Sequence, residues 1–367
     1  MKPTPSFFAG ITDPRVERNR LHTLEDIMFI SFVAILCGAE TWNEIEDFGR
    51  AREEWLRTFL NVENGIPSHD TFNRVYAAID PQEFESLFRE IVNRMAVKTD
   101  QEVIAIDGKT MRGATGRNGE NKVHIVSAWA NSNQLVIGQQ KVDCKSNEIT
   151  AIPALLKTIY LEGCIVTIDA MGCQKSIATD IVKRDADYIL AVKGNQKELL
   201  EEVKDSFKML PKNEVSEEVS VGHGRIEKRT SSVITDLSLI EKRKEWTELT
   251  SLIKVEAERT NKTTHLTEKQ ERYYISSRRQ SAAEFNTHIR SHWGVENSLH
   301  WILDVSFGED KSRKRDGHAA HNYTIALRMA LNLLKKEATS RRSIKGKRLK
   351  AAWDLDYLKQ ILLLLKN

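Results

Sequence analysis

Apolar residues recur at helical spacing through the first 95 residues of the chain. Over Leu24–Leu60 they stand three or four positions apart, which is the spacing of one buried face of an α-helix. Residues 65–68 predict a turn in which Ser68 caps a short helix over 69–79. We therefore expect an all-helical N-terminal domain over residues 1–95, whose helix–turn–helix unit either binds DNA or only packs.

The pattern changes to short apolar runs near residue 102. Val103–Ile106 predicts a strand that ends at Asp107, and two further strands follow over Val123–Ala130 and Leu135–Val142. A polar four-residue turn joins the last two. Three consecutive strands of this kind favour an antiparallel meander.

Helices then alternate with fully apolar strands. A helix over 149–159 precedes a strand over 164–168, and a helix over 177–186 precedes a strand over 188–192. Such strands are typical of the parallel part of a sheet that is buried on both faces. A meander followed by two helix–strand units is the order found in ribonuclease-H-like domains. We therefore expect the α/β class, with a ribonuclease-H-like mixed sheet flanked by helices.

The second half of the chain interrupts this core. Residues 201–272 alternate polar and apolar positions and predict a β-rich insertion, after which a helix over 282–303 resumes the core. The expected catalytic core therefore comprises residues 96–200 and 273–335. A basic helical tail is expected over 336–367.

Composition agrees with a globular protein of two or three domains. Of the 367 residues 40% are hydrophobic and 29% charged, and 7 prolines and 18 glycines exclude collagen-like or low-complexity material. The longest nearly apolar run, Met28–Ala39, is shorter than the roughly 20 residues of a membrane span. With no secretory signal pattern at the N-terminus, we expect a cytoplasmic, nucleoid-associated protein without a membrane partner. The four cysteines form no C-x-x-C pair and are expected to be reduced thiols: Cys37, Cys144, Cys164 and Cys173.

Charge is distributed unevenly although the formal net charge is only +3. Residues 1–100 hold 11 basic and 17 acidic residues, whereas residues 271–367 hold 19 basic and 10 acidic ones. Within Lys311–Lys350 there are 13 basic and 2 acidic residues. This density suits binding to a polyphosphate backbone, although a solvated basic tail would give the same pattern.

Two aspartates follow apolar strands directly. Asp107 and Asp169 stand where strands of an α/β sheet open into a ligand-binding crevice. If the strands are neighbours, the two carboxylates converge and require a cation, and oxygen ligands suit Mg²⁺ or Mn²⁺. The alternative for each aspartate is a simple turn former.

A third carboxylate comes from the helix that contains His292, Glu296 and His300 at positions i, i+4 and i+8. Three carboxylates can hold two divalent ions that activate an attacking oxygen and stabilise a leaving oxygen in phosphodiester transfer. Glu296 could instead pair with Arg290 or His300. Three neighbouring acids compete for the role: Asp304, Glu309 and Asp310.

Other common sites are excluded or disfavoured. Gly108-Lys-Thr resembles the end of a phosphate-binding loop, but Val103 stands where that motif requires glycine. Neither G-x-S-x-G nor H-E-x-x-H occurs. A zinc site remains an alternative, in which His292, Glu296 and His300 combine with His318 or His321.

Several motifs together resemble the H-repeat-associated transposases of bacterial insertion sequences. The resemblance runs almost end to end, and the N-terminal region with Gly65–Phe72 is similar to the domain preceding the catalytic core in that family. The motifs are Ile104–Gly113, Thr167–Gln174, Ala191–Gln196, Gly222–Glu227, His292–Trp301 and Leu303–Asp310.

The resemblance implies a DDE transposase in which Asp107, Asp169 and Glu296 bind two Mg²⁺ or Mn²⁺ ions. It also implies double-stranded DNA as partner and a homodimer or higher oligomer on that DNA. In the broader cut-and-paste clan a Tyr and an Arg precede the catalytic Glu and a Lys follows it. Those places are held here by Ile289, His292 and Leu303.

The residues expected to contact DNA follow from this interpretation. They are Lys109, Arg112, Lys193, Arg225, His292, His300, Lys311, Arg313 and Arg315. Two other functions stay open: a metal-dependent DNA nuclease on the same core, and a catalytically silent DNA-binding remnant of a mobile element.

Overall fold

The computed structural model describes residues 6–17, 20–114, 123–142, 147–222 and 224–365. Cys144 lies outside the described residues, so the prediction of a reduced thiol stays open there. Cys37, Cys164 and Cys173 are free and buried, as expected.

The N-terminal region is helical, as predicted. The central helix α1 is buried on all sides from Ile27 to Leu36, the pattern of a helix inside a core rather than at its surface. Side chains that accept hydrogen bonds from the first turn begin three of these helices: Thr23, Thr41 and Asp80. The helices are α1 (Leu24–Leu36), α2 (Trp42–Ala51), α3 (Glu53–Leu56), α4 (His69–Ala78) and α5 (Pro81–Met95).

Within the described residues nine strands form one mixed sheet, which confirms the predicted fold class. Its order is β3-β2-β1-β4-β5-β9-β8-β7-β6; β1, β4 and β5 are parallel, and the other neighbours are antiparallel. The last four strands, β6 to β9, belong to this same sheet. The boundary expected between the β-rich insertion and the core, at residue 272, falls inside β9. The strands are β1 (Val103–Met111), β2 (Val123–Ala130), β3 (Leu135–Lys141), β4 (Ile165–Ile168), β5 (Asp187–Val192), β6 (Glu214–Gly222), β7 (Arg225–Ile234), β8 (Ser251–Asn261) and β9 (Thr267–Ser276).

The prediction that the first strand ends at Asp107 was wrong. Its parallel pairing with β4 stops at Ile106, but its antiparallel pairing with β2 continues to Met111. Polar residues could extend the strand because one neighbour still supplied backbone hydrogen bonds.

The single helix predicted over 282–303 is interrupted. It consists of α9 (Ala282–Ser291), the single turn α10 (Trp293–Val295), a π-helical segment (Glu296–His300) and α11 (Trp301–Phe307). Three more helices flank the sheet: α6 (Glu148–Leu156), α7 (Lys175–Val182) and α8 (Lys197–Met209).

The C-terminal helices pack with the N-terminal ones in one hydrophobic core. They are α12 (Ala319–Lys336), α13 (Ile344–Trp353) and α14 (Leu355–Leu363). Two basic residues of the tail are buried: Lys347 donates to the backbone oxygen of Leu334, and Arg348 to that of Ile35. These cations therefore belong to the core. No helix in the described ranges is long and apolar enough to cross a membrane.

Candidate active site

Asp107 and Asp169 occupy equivalent places on neighbouring parallel strands. Ile106 of β1 pairs with Ile168 of β4, so the next residue in each strand is one of the two aspartates. The Asp169 carboxylate also accepts a hydrogen bond of 2.9 Å from the backbone N–H of Met171, which begins a short 3₁₀ turn. The sheet thus directs both carboxylates to one edge of its parallel part.

Glu296 approaches this edge because its helix lies close against the sheet. A side chain at Gly294 would meet the Asn131 amide oxygen at 2.6 Å and the Trp129 indole nitrogen at 3.1 Å. Glycine allows the helix to lie this close to Trp129 of β2 without displacing its neighbours. The π-helical segment begins at Glu296 itself, and such segments are frequent at functional sites.

Glu296, Asp107 and His300 form a compact group. His300 Nδ1 lies 3.1 Å from Glu296 Oε2 and 3.5 Å from Asp107 Oδ2, and the imidazole is buried while Glu296 is open to solvent. One ligand atom from each of these three residues lies within 4.8 Å of the others. Asp169 does not join this group. His300, which we expected to contact DNA, is instead enclosed beside the two carboxylates.

The electrostatics of the group favour a bound cation. Burial raises the pKa of Asp107 to about 6, and the Asp169 and Glu148 carboxylates add to this rise while His300 opposes it. His300 Nε2 is buried without a hydrogen-bond partner among the described residues. Carboxylate oxygens fit Mg²⁺ or Mn²⁺. The His300 imidazole would add a nitrogen ligand to the oxygen ligands that the sequence predicted. The residues present therefore fit a divalent metal ion.

Lys109 lies on the same face of β1 as Asp107 but is engaged by protein carboxylates. Its ammonium contacts the Asp304 carboxylate and lies 3.0 Å from Glu309 and 3.1 Å from Asp310. Glu309 has no solvent exposure and also pairs with the buried Arg328 at 2.8 Å. The three acids that compete with Glu296 in the sequence are thus grouped around Lys109.

A cavity of about 350 Å³ adjoins Asp169 and holds two more predicted residues, Lys193 and His292. His292 Nδ1 lies 3.0 Å from Thr167 Oγ1, and burial lowers the pKa of His292 to about 4. The imidazole is therefore neutral at pH 7. Lys193 is exposed and directly follows the last residue of β5.

The remaining predicted DNA contacts are exposed, but they lie in different places. Arg112 extends from the end of β1, with Nε 3.4 Å from Asp310 Oδ2. Arg225 begins β7 at the β6–β7 turn, and β7 is separated from β5 by two strands. The other three lie on one segment after α11: Lys311, Arg313 and Arg315.

The described residues do not assemble the alternative zinc site. His321 Nε2 is 2.7 Å from Glu85 Oε1 in the helical core, and His292 contacts Thr167. Of the histidines considered, only His300 lies among the ligand atoms around Glu296.

Two residues near Asp107 escaped the sequence interpretation. His124 Nε2 lies 2.7 Å from Glu148 Oε1, and both atoms would be crowded by a side chain at Gly108. His124 and Glu148 stand in different elements, so no local spacing could have connected them with Asp107. In the sequence, His124 and Glu148 each stand out only as a polar or charged residue beside an apolar run.

Comparisons with known proteins show which family the chain is similar to. The family described as Transposase DDE domain matches residues 98–333, and the family described as DDE_Tnp_1-associated matches residues 6–92. Over 366 residues the chain is 42% identical to "Putative transposase YncI" of Escherichia coli O157:H7, covering 97% of this chain and 93% of that protein. It is 39% identical over 356 residues to "H repeat-associated putative transposase YhhI" of Escherichia coli (strain K12), covering 93% and 92%. A 55-residue stretch is 46% identical to "Inactive transposase YbfQ" of the same strain, covering 15% and 66%.

Proposed function

The chain belongs to the transposase DDE domain family, and from that membership we propose that it cuts and joins DNA strands at the ends of an insertion sequence. The reaction is a divalent-metal-dependent phosphodiester transfer. A water molecule attacks first, and the freed 3′-hydroxyl then attacks the target strand. The observation that carries this proposal is the grouping of Glu296 with Asp107 on the strand next to that of Asp169.

Asp107, Asp169 and Glu296 are the proposed ligands of two Mg²⁺ or Mn²⁺ ions. When bound, such ions supply activation of the attacking oxygen and stabilisation of the leaving oxygen. His300 is a positioning residue: its hydrogen bond lowers the pKa of Glu296 and holds that exposed carboxylate beside Asp107. The chain thus provides fixed negative charge at one edge of the sheet before any ligand arrives.

Exposed cations around the carboxylates would neutralise the phosphates of the DNA. Lys193 lines the cavity that adjoins Asp169, and Arg112 follows the end of the strand that carries Asp107. Arg225 lies farther along the sheet and would contact a longer duplex. Lys109, paired with three carboxylates, would instead hold the acidic loop after α11 in place. Pairing two element ends requires a homodimer or a higher oligomer on double-stranded DNA.

The test is Mn²⁺-dependent cleavage of DNA that carries the two flanks of this chain's own gene. The chain is compared with Asp169→Asn and with a matched control, Asp205→Asn, which removes a surface carboxylate on α8. We expect cuts at fixed positions with the unchanged chain and the control, and loss of DNA cleavage with Asp169→Asn.

Each other outcome has a distinct meaning. Cleavage retained by Asp169→Asn would overturn the assigned carboxylate centre. Cutting without strand-transferred products would favour the metal-dependent nuclease. DNA binding without cutting by the unchanged chain would favour the silent remnant.

A further inference from the structure

Burial alternates along the segment that follows α11. Lys311, Arg313 and Arg315 are exposed, whereas Ser312 and Lys314 are 6% exposed each. Lys311 ends a 3₁₀ turn, and the backbone is extended at Ser312. In an extended chain alternate residues point to one side, roughly 6–7 Å apart. The three cations therefore form one outward row, which we call the cation row.

Lys314 fixes this row to the N-terminal helices. Its ammonium lies 3.6 Å from the ring centre of Tyr323 and 4.6 Å from that of Trp42, and it donates a hydrogen bond of 2.7 Å to the backbone oxygen of Glu40. A lysine held in this way between two rings is unavailable to a ligand. Its role is to keep the neighbouring cations pointing outward.

The cation row forms one wall of a groove of about 830 Å³. The start of α4 forms the opposite wall with His69, Asp70 and Asn73. At the far end the Asn73 amide donates a hydrogen bond of 2.6 Å to the Asp316 carboxylate. The groove is therefore built jointly by the N-terminal helices and by the segment after the Glu296 helix.

The segment that carries the cation row packs against the chain just beyond β1. A side chain at Gly113, just beyond β1, would meet the backbone oxygens of Ser312 and Asp310 at 2.6 and 2.7 Å. The strand that carries Asp107 thus runs directly against the segment that carries the cation row.

The charges in the groove indicate what it binds. Within the described residues, none of the three cations of the row has a carboxylate partner, in contrast to Lys109. Exposed cations that alternate with buried residues and have no carboxylate partner suit the phosphates of a nucleic acid strand. Three carboxylates also line the groove, those of Glu40, Asp70 and Asp316, and they would repel phosphates beside them and so restrict the contact to the cation row.

We propose that this groove holds the backbone of one DNA strand leaving the carboxylate centre, with three successive phosphates on Lys311, Arg313 and Arg315. The inference rests on the proposed function and adds to it a path for the strand. It also assigns the N-terminal helices a direct part in binding DNA, through the wall at α4.

The test compares the salt dependence of DNA binding in two triple variants of equal charge loss. One replaces Lys311, Arg313 and Arg315 with Gln; the control replaces Arg341, Arg342 and Lys345, three exposed cations near α13, with Gln. Fluorescence anisotropy with an end-labelled duplex of the gene flank gives Kd from about 50 to 300 mM salt. We expect the slope of log Kd against log salt to fall by about 2 to 3 in the first variant and by less than 1 in the control.

A crosslinking experiment locates the strand independently. Asp70→Cys places a thiol on the α4 wall, and Asp205→Cys places one on the remote helix α8. With DNA carrying a disulfide-activated tether on the backbone, we expect crosslinks to a few adjacent positions from the first variant only. The crosslinks should disappear when the cation row is neutralised.

The outcomes separate the groove from the function. Equal changes of slope in both triple variants, or equal crosslinking from both cysteines, would show diffuse attraction and overturn the groove. If the unchanged chain binds no DNA at all, the proposed function and the groove fail together.

Discussion

Asp107 is a partly buried aspartate beside other carboxylates, and its ionised form destabilises the metal-free fold. Burial raises the pKa of this carboxyl from an ordinary value near 3.8 to about 6, with a further rise from Asp169. Because the folded chain disfavours the ionised form, its stability falls as the pH rises from about 4 to about 6 and stays lower above. A cation bound at the site would reverse this cost.

Asp107→Asn should therefore stabilise the metal-free protein at pH 7.5, by roughly 1–3 kcal/mol. Thermal or urea unfolding measures the difference in unfolding free energy between the variant and the unchanged chain. This difference should become smaller below about pH 4. Added Mn²⁺ should raise the melting temperature of the unchanged chain and leave that of Asp107→Asn unaltered. A metal-free variant less stable than the unchanged chain would contradict the electrostatic account.

Glu309 shows the opposite behaviour at a fully buried site. Burial acts to raise its pKa, but Arg328 and Lys109 outweigh burial and hold the pKa below its ordinary value. The carboxylate lies 2.8 Å from Arg328 and 3.0 Å from Lys109, and thereby joins α12 to β1.

Glu309→Gln would leave the buried Arg328 without its carboxylate partner, while Lys109 keeps Asp304 and Asp310. We therefore expect a loss of about 3–5 kcal/mol in unfolding free energy. Urea unfolding at pH 7 measures it. The matched control is Glu245→Gln, which breaks an exposed pair with Lys175 and should leave the unfolding free energy almost unchanged. Equal effects of the two changes would show that burial does not matter here.

At the scale of elements, a single carboxylate joins three C-terminal helices. Glu337 ends α12, accepts a hydrogen bond of 2.6 Å from the Tyr357 hydroxyl of α14 and lies 3.2 Å from the Lys347 ammonium of α13. Burial opposes ionisation, but these partners and Thr339 outweigh it and lower the pKa of Glu337 to about 2.

Since the folded pKa is lowered, Glu337 stabilises the fold above about pH 4.5, and this stabilisation is lost as the pH falls towards about 2. Glu337→Gln should be less stable than the unchanged chain by about 3 kcal/mol at pH 6. The difference between the two proteins should shrink steadily in urea titrations at pH 5, 4 and 3. A difference that is constant with pH would refute a charge-based role.

Two elements also show why the sequence pattern misled at the site. β1 continues through polar residues because β2 still pairs with it, and backbone pairing leaves no trace in local hydrophobicity. The helix of Glu296 changes to π-helical geometry where Gly294 packs against Trp129 of β2. The neighbouring strand thus accounts for the first departure, and the second occurs where the helix packs closely on a strand.

At the scale of the whole molecule, the N-terminal and C-terminal helices share one core. Residues from α1, α4, α5, α12 and α14 pack in the same hydrophobic cluster, and α12 is buried on every side from Ala319 to Leu334. The helices at the two ends of the chain are therefore expected to unfold together.

Leu358→Ala, which truncates a fully buried side chain of α14, should lower unfolding free energy by about 2–5 kcal/mol. Hydrogen exchange should show the same loss of protection in α1 and in α12, although α1 lies more than 300 residues before Leu358 in the sequence. The control Leu363→Ala removes an exposed side chain of α14 and should change neither. A loss confined to α13 and α14 would mean that the shared core is not cooperative.

The sequence by itself determined the helical N-terminal region and the mixed sheet, in which an antiparallel meander comes before the parallel strands. These follow from hydrophobic spacing and capping residues, which act over one or two turns of chain. It also singled out Asp107 and Asp169, since a charge at the end of a buried strand is conspicuous.

Only the tertiary structure decided how the charged residues are used. Lys109, His300, Lys314 and Arg348 read as exposed cations or polar helix positions, yet the fold encloses each against groups distant in sequence. Whether a cation faces solvent, a carboxylate or an aromatic ring depends on which elements meet around it. That meeting is set by long-range packing, which local periodicity does not encode.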